Sequence, residues 1–576
     1  MGTPATDPAQ LLASLLQTGQ DLMAQFFDAG TREKAEQTQT QLPLFDLAAA
    51  TQQFADMQQQ LVQQMTAFWT GALGARSPAE DASRSASSAD KRFAGEAWSR
   101  DPRYDLMRRT YLSYASIWQQ AVESAPVDEK SKAKMRFDMR QILDATSPSN
   151  FFLTNPEAMQ LAVETGGQSV AQGMRLFLED LAKGRISNTD EGAFTVGVNL
   201  ATTPGEVIYE NDLIQLIQYS PSTEHVHARP LVIIPPCINK FYILDLQPDN
   251  SLVRYALEQG HTVFLVSWRN ITAELGHLTW EDYLRQGVMR AIDVALDVGQ
   301  VDKVNTLGFC VGGTLLASAI AVMKEQGQEK VASMTLLTTM LDYSDTGEIG
   351  ALVSEHSVAS REAAIGSGGV MHGKELALTF SSLRANDLMW QYVVNNYLKG
   401  KAPPAFDMLY WNADGTNLPG PMFCWYVRNT YLENNLREPG KTVQCGYAVE
   451  LSSIDVPSFL YASREDHIVP WKTAYASWEL LGGETTFVLG ASGHIAGVIN
   501  PAAKNKRNHW FGGELAADAE HWLETARSVS GSWWPQWSTW LERQAGPEIP
   551  ARTSLGNQHY RSIEPAPGRY VMSKAD

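Results

Sequence analysis

The sequence predicts an α/β fold in which helices cover a mainly parallel β-sheet. Short apolar runs rich in β-branched residues alternate with helical patterns from residue 194 to about 339, and the strand pattern resumes at residue 457. Parallel strands need long crossover connections, so this alternation is typical of strand–helix–strand units. A second observation is Cys310, which lies between glycines where an apolar strand gives way to a helix of small residues.

Length and composition limit the function classes. A chain of 576 residues is too long for one compact core, and its 44% hydrophobic content with 16 Trp predicts well-packed units. The net charge of −18, without a basic stripe, argues against nucleic-acid binding. The four cysteines form no CxxC pair, so we expect reduced thiols, no structural zinc and no disulfide framework.

The chain carries no recognisable targeting signal. Its N-terminus lacks a basic stretch followed by an apolar one, which predicts that there is no signal peptide. No run of 18 or more apolar residues occurs, which predicts no membrane-spanning helix. We therefore expect a cytoplasmic protein.

Residues 1–195 are predicted to form a mainly helical N-terminal domain. Apolar residues recur at helical spacing in segments 8–28 and 45–73, which indicates amphipathic helices. Their apolar stripes either face a core or dock on a lipid-like or partner surface. The Ser/Ala-rich segment 77–90 is predicted to be a flexible linker, and the helical pattern returns over 103–185.

Residues 196–576 are predicted to form the catalytic domain. Its first predicted strand, FTVGVNL, begins at residue 194, just before this boundary. Helices are predicted at SLVRYALEQG, over 280–299 and from 311 to about 325. The predicted strands are FTVGVNL, EVIYE, LIQLIQY, PLVIIPP, HTVFLVSW, VNTLGF, VASMTLLTT and PSFLYAS. Between the last two, residues 341–440 are rich in Trp, Tyr, Asn and Gly, and we expect a mobile cap inserted between two strands.

The segment GFCVGG around Cys310 has the spacing of a nucleophile elbow, with Cys in place of the usual Ser. Small residues on either side let the backbone turn sharply, and the following helix N-terminus favours a thiolate. The alternative is a buried structural cysteine, but the strand–turn–helix context favours a nucleophile. This motif narrows the predicted fold to the α/β-hydrolase fold. Cys237, Cys424 and Cys445 lack such a context.

A cysteine nucleophile needs a base, and in this fold the acid and then the histidine follow it along the chain. Asp466 lies in LYASREDHIVPW and His494 in FVLGASGHIAGVINP, each after a predicted strand. We therefore predict a Cys310–Asp466–His494 triad. His467 is the rival histidine, but it precedes the last predicted strand and adjoins the acid, so a supporting role is expected.

An oxyanion hole requires two backbone N–H groups. Val311, directly after the nucleophile, is predicted to supply one. The other is expected after the strand in LVIIPPCINKFY, and because proline has no N–H the choice narrows to Cys237 and Ile238. Of these two residues, Ile238 is the candidate for the second N–H donor.

At these residues the sequence resembles the polyhydroxyalkanoate synthases of the single-subunit class I type. The matching segments are PPCINKFYILDL, GFCVGG, YWNADGTNLPGP, REDHIVPW, SGHIAGVINP, GSWWPQW and APGRYV. The resemblance implies polymerisation of (R)-3-hydroxyacyl-CoA into a polyester, with release of CoA and no resident cofactor. It implies that Cys310 is acylated, that His494 is the base and that Asp466 is the third member. It also implies a homodimer at polyester granules, where granule-surface proteins are possible partners.

Two other function classes are alternatives to this one. A lipase, esterase or depolymerase of the same fold would typically carry Ser in the elbow and often a secretion signal. A non-catalytic granule-coating protein would need no ordered triad. The cluster Lys504, Lys506 and Arg507 follows His494 in an otherwise acidic protein, and it is either a binding site for the CoA phosphates or a solvated loop.

Overall fold

The structure is a computed structural model, and it describes residues 90–575. The predicted amphipathic segments 8–28 and 45–73, and nearly all of the predicted linker 77–90, lie outside the described residues.

Helices dominate residues 90–190. Asp101, Asp128 and Asn155 each cap a helix by accepting a backbone N–H, and proline occupies the first helical position after Asp101 and Asn155. The five helices are α1 (Ala97–Arg100), α2 (Pro102–Glu123), α3 (Glu129–Ala145), α4 (Pro156–Glu164) and α5 (Gln168–Lys183).

The centre of the molecule is an 11-stranded sheet. Its strands are β1 (Gly205–Glu210), β2 (Ile214–Tyr219), β4 (Leu231–Ile234), β5 (Val263–Trp268), β6 (Val304–Phe309), β7 (Val331–Leu337), β12 (Ser458–Ser463), β13 (Thr485–Gly490), β14 (Asn508–Phe511), β15 (Arg527–Ser530) and β17 (Glu564–Pro565). They lie side by side in the order β15-β14-β13-β12-β7-β6-β4-β5-β2-β1-β17. Short two-stranded pairs join β3 (His225–His227) to β16 (Glu548–Pro550), β8 (Val370–Met371) to β9 (Leu418–Pro419), and β10 (Val443–Gln444) to β11 (Tyr447–Ala448).

The six strands β5, β4, β6, β7, β12 and β13 are parallel, and antiparallel strands flank them on both sides. Their carboxyl ends therefore meet at one edge of the sheet, where ligands bind in folds of this kind. The predicted α/β-hydrolase fold with a helical N-terminal region is confirmed.

Helices cover the sheet and fill the connection between β7 and β12. They are α6 (Leu252–Glu258), α7 (Trp280–Asp282), α8 (Arg290–Gly299), α9 (Val311–Glu325), α10 (Glu355–Ile365), α11 (Gly373–Leu383), α12 (Asp407–Asn412), α13 (Gly420–Val427), α14 (Trp471–Ala476), α15 (His494–Val498), α16 (Ala519–Thr525) and α17 (Trp534–Glu542). The connection between β7 and β12 contains α10 to α13, and we call it the insert, residues 338–457.

One sequence-based prediction differs from the structure. FTVGVNL is not a strand, because Asn199 accepts the N–H of Thr195 at 2.7 Å and closes a turn bridged between Val196 and Leu200. The predicted helix over 280–299 is present as one continuous helix, in which Tyr283–Met289 is π-helical. There Gly287 packs so tightly on the ring of Trp268 that an added Cβ would lie 2.6 Å from it.

Two apolar layers pack on opposite faces of the sheet. One surrounds α9, and the other contains Trp533, Trp534 and Trp537 from the GSWWPQW segment, which are nearly or completely buried. Within residues 90–575, no helix is long and apolar enough to cross a membrane.

Candidate active site

Cys310 lies in a strained turn between β6 and α9. Its backbone has φ 53° and ψ −128°, a conformation that residues other than glycine rarely adopt. Its N–H donates to Leu337 O on the neighbouring strand at 2.9 Å, which holds the turn against the sheet. Cys310 is half-buried, whereas Cys237, Cys424 and Cys445 are buried. It is therefore the most accessible of the four thiols.

The glycines of the elbow are required by close backbone contacts. An added Cβ at Gly308 would lie 2.4 Å from the Cα of Gly313, and one at Gly312 would lie 2.3 Å from Ile234 O. At Gly313 it would lie 2.2 Å from the hydroxyl of Thr339. The strand, the helix and the loop after β4 thus approach each other more closely than any side chain would allow.

His494 and Asp466 form a buried pair beside the nucleophile. The Nδ1–H of His494 donates to Asp466 Oδ2 at 2.6 Å, since an ionised carboxylate only accepts. The other oxygen, Asp466 Oδ1, accepts the backbone N–H groups of Ile468 and Val469 at 2.8 and 2.9 Å. The ring of Phe309, directly before Cys310, stacks on His494 at 5.7 Å between centroids.

The surroundings of His494 change its affinity for a proton. Burial disfavours the charged imidazolium, but the Asp466 carboxylate and the Cys310 sulfur outweigh this and raise the pKa of His494 to about 10. The same sulfur influences the phenols of Tyr426 and Tyr431, whose pKa values burial raises first. His494 and both tyrosines are therefore within electrostatic range of the Cys310 sulfur.

The tryptophans of GSWWPQW support the short helix α15, which begins at His494. Trp533 Nε1 donates to Gly497 O at 3.1 Å, and Trp534 Nε1 donates to Val498 O at 2.9 Å. These bonds satisfy carbonyls at the C-terminal end of the helix, which has no further turn to do so. Trp533 also stacks on Tyr461 of β12 at 4.2 Å. His494 is thereby fixed to the sheet.

Val311 lies in the elbow, and the loop that carries Ile238 contacts the elbow. Val311 is the first residue of α9, so its N–H has no partner within the helix. Ile238 lies three residues after Pro235, and the carbonyl oxygen of Pro235 would lie 2.5 Å from a Cβ on Gly312. The loop after β4 is thus in contact with the elbow. The alternative donor, Cys237, lies in the same loop, and burial raises its pKa.

The remaining predicted residues occupy different settings. His467 is half-buried, its Nδ1 has no partner within the described residues, and burial lowers its pKa. Lys504, Lys506 and Arg507 are all exposed on the loop after α15. None of these three cations forms an ion pair with a carboxylate within residues 90–575.

A cavity of about 280 Å³ lies within the insert, and its lining was not foreseen from the sequence. Hydrogen bonds connect it to α9: Thr314, one turn after Cys310, bonds Tyr343 Oη at 3.0 Å, and Tyr343 Oη bonds Tyr426 Oη at 3.3 Å. The lining side chains include Ile238, Leu352, Val358, Phe380, Phe423, Tyr426 and Tyr431. The aromatic composition of the insert was the only available signal.

A mixed sheet whose central strand ends in a nucleophile turn defines a protein of the α/β-hydrolase class. Residues 230–501 match the family described as "alpha/beta hydrolase fold". Residues 89–256 match the family described as "Poly-beta-hydroxybutyrate polymerase (PhaC) N-terminus".

Curated relatives define the family more closely. The "Poly(3-hydroxyalkanoate) polymerase subunit PhaC" of Cupriavidus necator is 50% identical, over 95% of this chain and 93% of that protein. The "Poly(3-hydroxyalkanoate) polymerase" of Methylorubrum extorquens is 44% identical, over 84% of this chain and 81% of that protein. The chain belongs to the poly(3-hydroxyalkanoate) polymerase family, and it is an acyltransferase of the α/β-hydrolase fold. The resemblance noted in the sequence is confirmed.

Gly312→Ala should disrupt the elbow. The new Cβ would meet backbone oxygens of Ile234 and Pro235, which cannot rotate away, so we expect a loss of about 1–3 kcal/mol in the free energy of unfolding. The measurement is urea denaturation of both proteins. Gly192→Ala is the control, since its nearest neighbour is a flexible Asp190 oxygen at 3.3 Å. Equal stabilities of the two variants would contradict the steric argument.

The stabilising effect of the Asp466–His494 pair should depend on pH. A raised histidine pKa stabilises the fold fully below the unfolded value of 6.5, and this contribution is lost as the pH rises to about 10. Asp466→Asn removes the attracting charge. The difference in unfolding free energy between wild type and this variant should therefore shrink from pH 6.5 to 10.

The control for the pH series is Asp180→Asn. Asp180 is buried and accepts from Ser187 N at 2.9 Å, and no histidine bonds to it within residues 90–575. Its stability difference should stay constant over the same range. A constant difference for Asp466→Asn as well would show that His494 carries no extra proton in the folded protein.

Proposed function

We propose that this polymerase works through an acyl-Cys310 intermediate, with His494 as base and Asp466 as its orienting partner. The observation that carries the proposal is the buried 2.6 Å bond from His494 to Asp466, beside a half-exposed thiol on a strained turn. The substrate class is a hydroxyacyl-CoA, and the (R)-3-hydroxyacyl thioester is the proposed form.

In the first step Cys310 takes the acyl group from CoA. His494, whose pKa lies well above neutral, already holds the proton of the thiol, and the sulfur attacks the thioester carbon. The negative charge that develops on the carbonyl oxygen is stabilised by the N–H groups of Val311 and Ile238. The tetrahedral intermediate then expels the CoA thiolate, which receives the proton from His494, and a thioester on Cys310 remains.

In the second step a 3-hydroxyl group attacks the acyl-Cys310 thioester. His494 accepts the hydroxyl proton, the new ester bond forms, and the Cys310 thiolate leaves. Asp466 is assigned an orienting role, because Oδ1 already accepts two backbone N–H groups and Oδ2 accepts from His494. A substrate hydroxyl would have to displace one of these bonds to reach Asp466.

The insert is proposed as a cap that excludes water from the acyl-enzyme. Its cavity is lined mainly by apolar side chains, and two tyrosines of the lining are within electrostatic range of Cys310. An acyl chain buried there would be shielded from hydrolysis while it waits for a hydroxyl. Entry of CoA esters and exit of the polymer require the cap to open.

Acylation mapping tests the nucleophile. After mixing with (R)-3-hydroxybutyryl-CoA and rapid quenching, the peptide that contains Cys310 should gain the mass of the acyl group, and CoA should be released. Cys310→Ala should abolish both, and Cys310→Ser should lose most turnover because a serine alkoxide is harder to form. Cys445→Ala is the control, since Cys445 is buried and does not line the cavity. Full activity of Cys310→Ala would overturn the assignment.

The cluster Lys504, Lys506 and Arg507 is proposed to meet the CoA phosphates. The three cations are exposed after α15 and are not neutralised by neighbouring carboxylates within residues 90–575. This supports anion binding, because the chain as a whole has a net charge of −18.

Attachment to polyester granules is proposed through α5. Five large apolar side chains recur on one face of this helix with exposures of 40–64%: Val170, Met174, Phe177, Leu178 and Leu181. An uncharged polyester offers such a face an apolar surface to bury against. Homodimer formation, partner proteins on the granule and a cytoplasmic location remain predictions.

Replacing Met174, Leu178 and Leu181 together by Gln should weaken granule binding without loss of CoA release. Each buried Leu or Met contributes about 1.5–3 kcal/mol, so partition to granules should fall at least about tenfold. The measurement is co-sedimentation with polyester particles. Leu378→Gln is the control, because Leu378 is 63% exposed on the insert. Unchanged partition to the granules, whatever the oligomeric state, would exclude α5 as the granule surface.

A further inference from the structure

The loop that carries the second oxyanion donor is held by the insert. Three carbonyl groups of this loop accept hydrogen bonds from Trp411 and Thr416. Thr416 Oγ1 donates to Cys237 O at 2.6 Å, and Thr416 N donates to Ile238 O at 2.9 Å. Trp411 Nε1 donates to Lys240 O at 2.6 Å. Segment 411–416 of the insert thus fixes the path of the loop.

The bond from the Thr416 hydroxyl sets the direction of one particular N–H. Cys237 and Ile238 share a trans peptide, in which C=O and N–H lie in one plane and point in opposite directions. The Cys237 carbonyl points at Thr416, so the Ile238 N–H points away from it. Thr416 is 1% exposed and is the hydroxyl donor to that carbonyl.

The C-terminal residues hold the same region from a second side. Lys240 Nζ donates to Ser573 O, and Lys574 Nζ lies 3.0 Å from Asp414 Oδ2. Asn270, after β5, donates to Lys574 O at 2.9 Å. Lys240 and Asp414 are both buried, so these contacts are shielded from solvent. Segment 411–416 is therefore itself anchored and can act as a rigid support.

We propose that Thr416 is a positioning residue of the oxyanion hole, which aims the Ile238 N–H at the oxygen that becomes negatively charged during acylation. This rests on the proposed role of Ile238 as donor. Precise aim is required because a donor stabilises the developing charge only within hydrogen-bonding distance of it. The contact also couples the insert to the chemistry, since a movement of segment 411–416 would rotate this peptide.

The test compares two reactions of Cys310. Acylation by (R)-3-hydroxybutyryl-CoA creates an oxyanion, whereas alkylation by iodoacetamide creates none. In Thr416→Val the single-turnover rate of CoA release should fall at least tenfold, towards the loss of about 10²–10³ seen when a whole donor is removed. The alkylation rate and the KM should stay within twofold of wild type. Thr416→Ser, which retains the hydroxyl, should acylate within about threefold of wild type.

Thr306→Val is the matched control, since the buried Thr306 hydroxyl donates to Ser333 O at 2.9 Å within the sheet. It should leave both rates unchanged. Thr416→Ala serves if Thr416→Val does not fold. Normal acylation of the folded variant, or equal losses in acylation and alkylation, would overturn the positioning role. Failure of wild-type Cys310 to become acylated would instead refute the proposed function itself.

Discussion

The structure around the nucleophile depends on one constraint, the close approach of three backbone segments at Cys310. The strand β6, the helix α9 and the loop after β4 meet where a Cβ at any of three glycines would overlap a neighbouring atom. Only this approach lets a cysteine with φ 53° sit at the start of a helix and next to the loop of Ile238. The strain of the turn is stabilised by the bond from Cys310 N to Leu337 O and by the surrounding sheet.

The buried Asp466–His494 pair is positioned by two other strands of the same sheet. Asp466 follows β12 and His494 follows β13, and the two strands pair in register. A buried carboxylate is stable only when its oxygens are bonded, and here two backbone N–H groups and one imidazole N–H provide the bonds. The tryptophans behind α15 prevent the histidine from moving away. The geometry is thus fixed before substrate arrives, which is what electrostatic catalysis requires.

Features with a local sequence pattern could be predicted, whereas features that depend on contacts between residues far apart in the chain could not. The elbow is a local pattern, and the chain order places Asp466 and His494 after strands, so the structure brings together residues that could be named beforehand. FTVGVNL failed as a strand because the Asn199 side chain stabilised a local turn instead. The role of Thr416 could not be foreseen, since its bond to Cys237 joins residues 179 apart. The cavity lining likewise depends on how several short helices pack.

The difference between a hydrolase and a polymerase of this fold lies in which hydroxyl reaches the acyl thioester. A water molecule is retained in a cavity only with two to four polar partners. The cavity of the insert is lined largely by Ile, Leu, Val, Met and Phe side chains, and the Tyr343 and Tyr426 hydroxyls already bond each other. Along this apolar part of the lining water gains little by entering, whereas an acyl chain gains by burying its apolar surface. Hydrogen bonds tie this cavity to α9 through Tyr426, Tyr343 and Thr314, and a separate bond from Thr416 ties the oxyanion loop to the insert. Because the anchored segment 411–416 already holds that loop, a closed insert would need only to exclude water for the thioester to react while it is protected from hydrolysis.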